Sequence, residues 1–256
     1  VSENLGSGPH AIVIGKRTES YDGKTVFGGF ILEENATLLP APGKQALKIE
    51  FIGDSLSVGY GVEGKGIKCD SERKYKNNYL AFTSVAARKL DADYNVVAIS
   101  GRGVVRNYGE KSKASAEPLP LYYDRTVMND AKSRWDFKKW QADIAVINLG
   151  TNDFSTEPKP DVEVFVKAYI ELVKRVRKAY PKAHIFLCVG PTQMDPFYEC
   201  MEKLFAGIKD SRVHRVDMSR LTEKDWGCDY HPNISAAERM AEELVRAVRD
   251  TIKQYL

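Results

Sequence analysis

Five short apolar runs punctuate the chain, and longer stretches of helical periodicity lie between them. The runs are Leu47–Ile52, Tyr94–Ile99, Ile144–Leu149, His184–Val189 and Val213–Asp217. Each alternates or runs apolar over a strand's length, as buried strands do. Helical spacing marks Tyr79–Leu90, Val162–Tyr180, Phe197–Ile208 and Ser235–Tyr255. In the second of these, Val162, Phe165, Val166, Tyr169, Leu172, Val173 and Val176 recur on one face. Strands alternating with amphipathic helices predict an α/β fold, a parallel sheet covered on both sides. Between Gly101 and Trp140 the pattern lapses into charges, two prolines and Tyr122-Tyr123, which predicts a substrate-facing loop region.

Residues 1–44 read differently. Ala11–Ile14 and Thr25–Leu32 have the composition of strands, with the turn Tyr21-Asp22-Gly23-Lys24 between them and Pro40-Ala41-Pro42-Gly43 as a linker after them. Two strands are not a stable unit alone, so they must pack on the body or belong to a larger β unit. The chain therefore divides into a β segment, 1–44, and a main domain, 45–256.

Composition narrows the classes. Lys and Arg number 38 against 35 Asp and Glu, a net charge of +3 spread along the chain. No basic footprint for nucleic acid stands out, and no apolar run is long enough to span a membrane. The four cysteines, Cys69, Cys188, Cys200 and Cys228, fit no zinc spacing. Cys188 sits in an apolar strand as a small hydrophobe. Cys69 and Cys228 fall in loops expected near the site, and whether they form a bridge is left open. The chain begins at Val1 without a leader pattern, as a chain with its leader removed or trimmed would. The sequons at Asn35 and Asn233 read as chance matches.

Polar turns follow the apolar runs. After the first comes Gly53-Asp54-Ser55-Leu56; after the second, Ser100-Gly101-Arg102-Gly103; after the third, Gly150-Thr151-Asn152-Asp153; and before the last helix, Asp229-Tyr230-His231-Pro232. Open α/β sheets place ligands at the carboxyl ends of their strands, so these turns converge. Acyl transfer needs a nucleophile, a base and oxyanion donors. Ser55 supplies the first and His231 the second, because imidazole titrates near neutrality. The N–H groups of Ser55 and Gly101 and the amide of Asn152 supply the third. Each turn also has a plain structural reading as a turn or helix cap. Asp54, Asp153 and Asp229 lack metal-ligand spacing, and neither metal nor cofactor is expected.

These residues resemble the SGNH, or GDSL-type, hydrolases: Gly53-Asp54-Ser55-Leu56, Gly101, Gly150-x-Asn152-Asp153 and His231-Pro232 match that family's four blocks in order, over about residues 47–240. The resemblance implies a flavodoxin-like three-layer αβα fold and metal-independent serine esterase chemistry. Lys16-Arg17-Thr18-Glu19, Ile49 to Ser55, Ile99 to Gly103 and Gly227 to Pro232 further resemble family two carbohydrate esterases. That likeness implies removal of acetyl groups from plant polysaccharides such as xylan and glucomannan. It also implies a secreted or periplasmic location, and residues 1–44 as the last strands of a jelly-roll domain. The partner is then an acetylated polysaccharide or oligosaccharide, with neither nucleic acid nor membrane. Tyr230 occupies the aromatic-platform position, and Trp226 and the pair Tyr122-Tyr123 are weaker candidates of that kind.

One departure stands out. The general family's acid lies three residues before the histidine, where this chain has Cys228; Asp229 is only two before. The expected arrangement is a Ser55–His231 dyad oriented by a backbone carbonyl near Cys228–Asp229, with the Asp229 side chain as the other candidate for a third member. Competing readings are a lipid- or thioester-directed hydrolase and a carbohydrate-binding module with weak turnover.

Overall fold

The computed structural model describes residues 6–69, 73–192 and 194–252. Strands β1 (Leu47–Gly53), β2 (Ala92–Ala98), β3 (Ile144–Asn148), β4 (His184–Val189) and β5 (Val213–Asp217) form one parallel sheet in the order β2-β1-β3-β4-β5. The helices are α1 (Ser55–Val58), α2 (Phe82–Lys89), α3 (Thr151–Phe154), α4 (Val162–Ala179), α5 (Phe197–Gly207) and α6 (Ile234–Thr251).

The two-residue period of the strands divides the core. Ile49 and Phe51 of β1, Val146 of β3 and Phe186 of β4 pack with Phe82 of α2 and Met240 and Leu244 of α6. Ile52, Ala145, Ile147, Ile185 and Leu187 pack on the other side with Phe165, Tyr169 and Leu172 of α4 and Met201 and Leu204 of α5. Strands buried on both faces need continuous apolar sequence, which is why these runs were legible. The order reverses direction between β1 and β3, and such a switch point leaves a crevice at the carboxyl ends of the strands. Ser55 follows β1 there, and Asn152 follows β3.

In residues 1–44 the two candidate strands have no partner among the described residues. Ala11–Ile14 and Thr25–Leu32 are extended but unpaired, with Val13, Val26 and Ile31 exposed. β-rich composition marks a segment that fits a sheet, but a strand exists only where a neighbour takes its backbone hydrogen bonds. What does dock on the body is Arg17–Asp22. Arg17 donates to the Lys76 carbonyl and its own carbonyl accepts from Asn78 N–H, while Ser20–Asp22 forms a 3-10 turn. Tyr122 and Tyr123 are corrected as sugar platforms: both are buried, Tyr123 against Phe137 and Tyr122 under Arg125, because the irregular stretch folds back over α4.

Candidate active site

The serine turn is built locally. β1 ends at Gly53, where a side chain would collide with Ser57 and approach the Asn148 carbonyl, so only glycine fits between two strand ends. Asp54 caps α1, its Oδ1 accepting from Leu56 N–H at 3.1 Å. Ser55 is the first helical residue, so its N–H has no carbonyl partner within the helix and is available to a ligand.

The second turn runs from Ile99 to Arg102. Arg102 N–H bonds the Ile99 carbonyl at 3.3 Å and Gly101 has a φ of +77°, the pattern of a type II turn with glycine where φ must be positive. Gly103–Arg106 is then tied down by Asp153. Its buried carboxylate accepts from the N–H groups of Val104, Val105 and Arg106 at 2.8 to 2.9 Å. Burial pushes the Asp153 carboxyl up to about 6 against the pull of those three donors. Asn152 Nδ2 donates to the Arg102 carbonyl at 3.0 Å and to Asp54 Oδ2 at 3.2 Å. Burial, with a smaller push from the Asp153 charge, raises Asp54 to about 7. The charged form of Asp54 is thereby disfavoured, which reduces its repulsion of any negative charge formed beside Asn152.

The histidine loop is held from a distance. Cys228 forms a disulfide with Cys69, Cys228 N–H bonds the Gly61 carbonyl at 2.9 Å, and Asp229 N–H bonds the Ile67 carbonyl at 3.0 Å. The loop is thereby fastened to the chain that leaves α1. Asp229 and Tyr230 both take left-handed backbone, with φ of 53° and 57°. Such conformations in non-glycine residues persist only where the surroundings enforce them. Here they turn the Asp229 carbonyl onto His231 Nδ1 at 2.7 Å. A carbonyl only accepts, so Nδ1 carries the hydrogen and Nε2 has the free lone pair. The Asp229 carboxylate points elsewhere and accepts from the Tyr60 hydroxyl at 3.4 Å. Tyr60 also packs on the imidazole, ring centroids 4.3 Å apart. Burial lowers the His231 pKa below the ordinary imidazole value, opposed by the Asp229 carbonyl and the Asp229 charge.

All of the expected site residues meet. Ser55, Gly101, Asn152, His231, Trp226 and Tyr230 line one cavity of about 630 Å³ at the switch point. The Trp226 and Tyr230 rings stand edge to face at 6.0 Å, with Tyr230 59% exposed at the rim. Among the described residues no group of three or more His, Cys, Asp or Glu could hold a metal ion. Sequence reasoning passed over Tyr60 as a partner of the histidine and over Asp153 as the anchor of the glycine loop. Tyr60's place just after the serine helix was the only available sign of the first.

A nucleophile-turn serine, a glycine, an asparagine and a histidine gathered at the carboxyl edge of a parallel sheet define a class. The family model "GDSL-like Lipase/Acylhydrolase family" matches residues 51–251, and the model "Carbohydrate esterase 2 N-terminal" matches residues 1–42. The chain belongs to the GDSL-like lipase/acylhydrolase family and is by family a carboxylic-ester hydrolase. Within it, the similar solved structures include family two carbohydrate esterases. A cellulase/esterase CelE from Acetivibrio thermocellus is 38% identical over 97% of this chain and 31% of its own length. An acetylxylan esterase / glucomannan deacetylase from Cellvibrio japonicus is 31% identical over 95% of this chain and 70% of its own length. The chain thus spans about a third of the first relative and over two thirds of the second. A family two carbohydrate esterase from Clostridium thermocellum, solved in complex with cellohexaose, superposes with a TM-score of 0.78 at 36% identity, covering 85% of this chain and 68% of that one.

Proposed function

We propose that this chain is a carbohydrate O-acetyl esterase acting on acetylated plant polysaccharides such as xylan or glucomannan. The observation that carries the reading is the set of Ser55, Gly101, Asn152 and His231 around one cavity, with His231 Nδ1 held by the Asp229 carbonyl. In this reading Ser55 Oγ attacks the acetyl carbonyl while His231 Nε2 takes its proton. The N–H groups of Ser55 and Gly101 receive the oxyanion, and the Asn152 amide joins them by turning one of its two hydrogens from Asp54 Oδ2 to the oxyanion. The protonated His231 then gives its proton to the departing sugar hydroxyl, and a water activated by the same base releases acetate. The catalytic unit is a dyad. The Asp229 carbonyl fixes tautomer and ring angle, and it stabilises the imidazolium less than a carboxylate would.

Tyr230 and Trp226 form the aromatic rim on which the apolar face of a sugar ring packs. The names of the relatives support an acetylated xylan or glucomannan, and the cellohexaose complex supports a β-linked hexose chain in the cleft. Residues 1–44 belong with a jelly-roll unit, and the protein acts outside the cytoplasm. Among the described residues no helix is long and apolar enough to cross a membrane.

The test is acetate release from acetylated xylan and glucomannan by the wild type and by Ser55→Ala. Loss of about 10³-fold or more in kcat for the variant is expected. Equal rates would overturn the reading, and aryl-ester activity that rises from C2 to C8 would favour a lipid-directed hydrolase. Glycan retention by both proteins without acetate release would favour a binding module.

A further inference from the structure

The Lys16-Arg17-Thr18-Glu19 motif has no part in the chemistry described so far, yet it is the best-anchored piece of the amino-terminal segment. Glu19 is buried at 5% exposure, a costly place for a carboxylate unless its oxygens are used. They are. Oε2 accepts from Ser100 N–H at 2.7 Å and Oε1 from the Ser100 hydroxyl at 2.6 Å. Oε1 also accepts from the Tyr21 hydroxyl at 2.8 Å and meets Lys76 Nζ at 3.1 Å. Asp22 completes the cluster, accepting from Glu19 N–H at 3.0 Å and pairing with Lys76 at 3.2 Å. Lys76 is held as the ammonium. Burial alone would lower its pKa, but the Glu19 charge and the hydrogen bonds with Tyr21 and Glu19 raise it to about 12. The ammonium also lies 5.1 Å from the centre of the Tyr60 ring, which packs on His231.

The geometry carries a consequence for the oxyanion site. Ser100 is the second residue of the turn Ile99–Arg102, and Gly101 is the third. The peptide between them carries the Gly101 N–H. That peptide is the one that turns over between type I and type II turns, and in this turn nothing in the residue type at position 100 fixes it. Glycine at position 101, with its positive φ, permits the type II orientation, and a carboxylate that grips both the N–H and the hydroxyl of Ser100 fixes the turn as a body, and with it where the Gly101 N–H points.

We propose that Glu19 is a positioning residue that aims the Gly101 N–H into the oxyanion site, so that the amino-terminal segment completes the active site. The inference rests on the esterase reading above. Glu19→Gln removes the charge and replaces one accepting oxygen with an NH2 group, which faces either the Ser100 N–H or, on the other side, the Lys76 ammonium, neither of which can accept from it. The grip is lost on one side while size and shape are kept.

The experiment compares wild type, Glu19→Gln, Ser100→Ala and Ser55→Ala as full chains. Turnover is followed with 4-nitrophenyl acetate, and phenylboronic acid serves as the probe that forms a tetrahedral adduct on the serine. For Glu19→Gln, kcat should fall about 10- to 100-fold with KM changed less than about threefold, and the phenylboronic acid inhibition constant should rise by a similar factor. Ser100→Ala keeps the N–H contact and should show the same paired change at about three- to tenfold. If Glu19→Gln folds and keeps its kcat, the proposal is wrong. It is equally wrong if activity falls only because fewer molecules titrate as active while their boronic acid affinity is unchanged, which is what a merely structural role gives. Should Glu19→Gln fail to fold, Ser100→Ala decides alone: parallel losses support the proposal and unchanged constants overturn it. Full activity in Ser55→Ala would instead bring down the esterase reading, and this inference with it.

Discussion

The two sides of the cleft are built by different means. Ser55, Gly101 and Asn152 stand at strand ends or in the turns that follow them. The sheet fixes them through short-range features: a glycine at a strand end, an Asp cap, a type II turn. His231 stands on a loop far along the chain, held by a disulfide, by backbone bonds to Gly61 and Ile67, and by consecutive left-handed residues. Donors that stabilise charge must not move, and a sheet edge gives that rigidity directly. In the proposed mechanism the base meets them from outside the sheet, so its position has to be tied down. Activity on one side therefore depends on sheet geometry, and on the other side on tethers that can be cut.

The largest expected effect is on the sheet side. Asn152→Ala removes a donor from the proposed oxyanion site, and kcat should fall about 10²- to 10³-fold. Asn152 contributes no tether between elements beyond its bonds to Arg102 and Asp54, so the melting temperature should move by only a few degrees. Calorimetry beside kinetics checks the pair of values. A large fall in melting temperature with a small fall in kcat would reverse the assignment of that residue.

Cutting the tether should give the opposite balance. The bridge Cys69–Cys228 spans a sequence separation of 159, and Cys228 is fully buried. Removing it by Cys69→Ala with Cys228→Ala should cost about 2–4 kcal/mol of stability and a melting temperature lower by roughly 5–10 °C. The backbone bonds from Gly61 and Ile67 remain, so kcat should fall only severalfold. Thermal unfolding with and without reductant on the wild type measures the same quantity independently. An unchanged melting temperature in both would mean that those backbone bonds suffice to hold the loop.

The same division explains what could be read from the sequence. The five strands and the helices α4 and α6 were legible because burial on a sheet imposes a period on the sequence itself. The serine, glycine and asparagine turns were legible for a related reason: each follows an apolar run, so its place in the fold is set by its place in the chain. The composition of Ala11–Ile14 and Thr25–Leu32 reports compatibility with a sheet and carries no information about a partner. Asp153 was weighed as a metal ligand or a cap. Its work on Val104, Val105 and Arg106 requires knowing that a loop some fifty positions away crosses over it. Glu19 and Lys76 look like ordinary surface charges in the sequence, and only the fold brings them into one buried cluster. At the histidine, Cys228 in the usual acid position pointed to a carbonyl partner, and the Asp229 carbonyl lies 2.7 Å from His231 Nδ1. The left-handed backbone that delivers that carbonyl had no sign in residues such as Asp229 and Tyr230.

The smallest effect sharpens the comparison most finely, because it separates the Asp229 carbonyl from its carboxylate. Asp229→Asn keeps a residue type that tolerates left-handed backbone and leaves the carbonyl on His231 Nδ1. It removes only the charge. Turnover should then fall by less than about tenfold, far less than for a triad carboxylate, whose loss leaves the base in the wrong tautomer. The pH profile gives the sign. Burial lowers the His231 pKa in the wild type, so the imidazole stays neutral and basic as pH falls past the ordinary value of about 6.5. The acid limb of kcat/KM should therefore lie below that value. The Asp229 charge works against the burial by favouring the imidazolium. Without it the limb should move to still lower pH. Profiles of kcat/KM between pH 4 and 8 for both proteins measure the displacement. A limb that moves upward, or a loss of activity as large as that of His231→Ala, would mean that the Asp229 side chain and not its backbone serves the base.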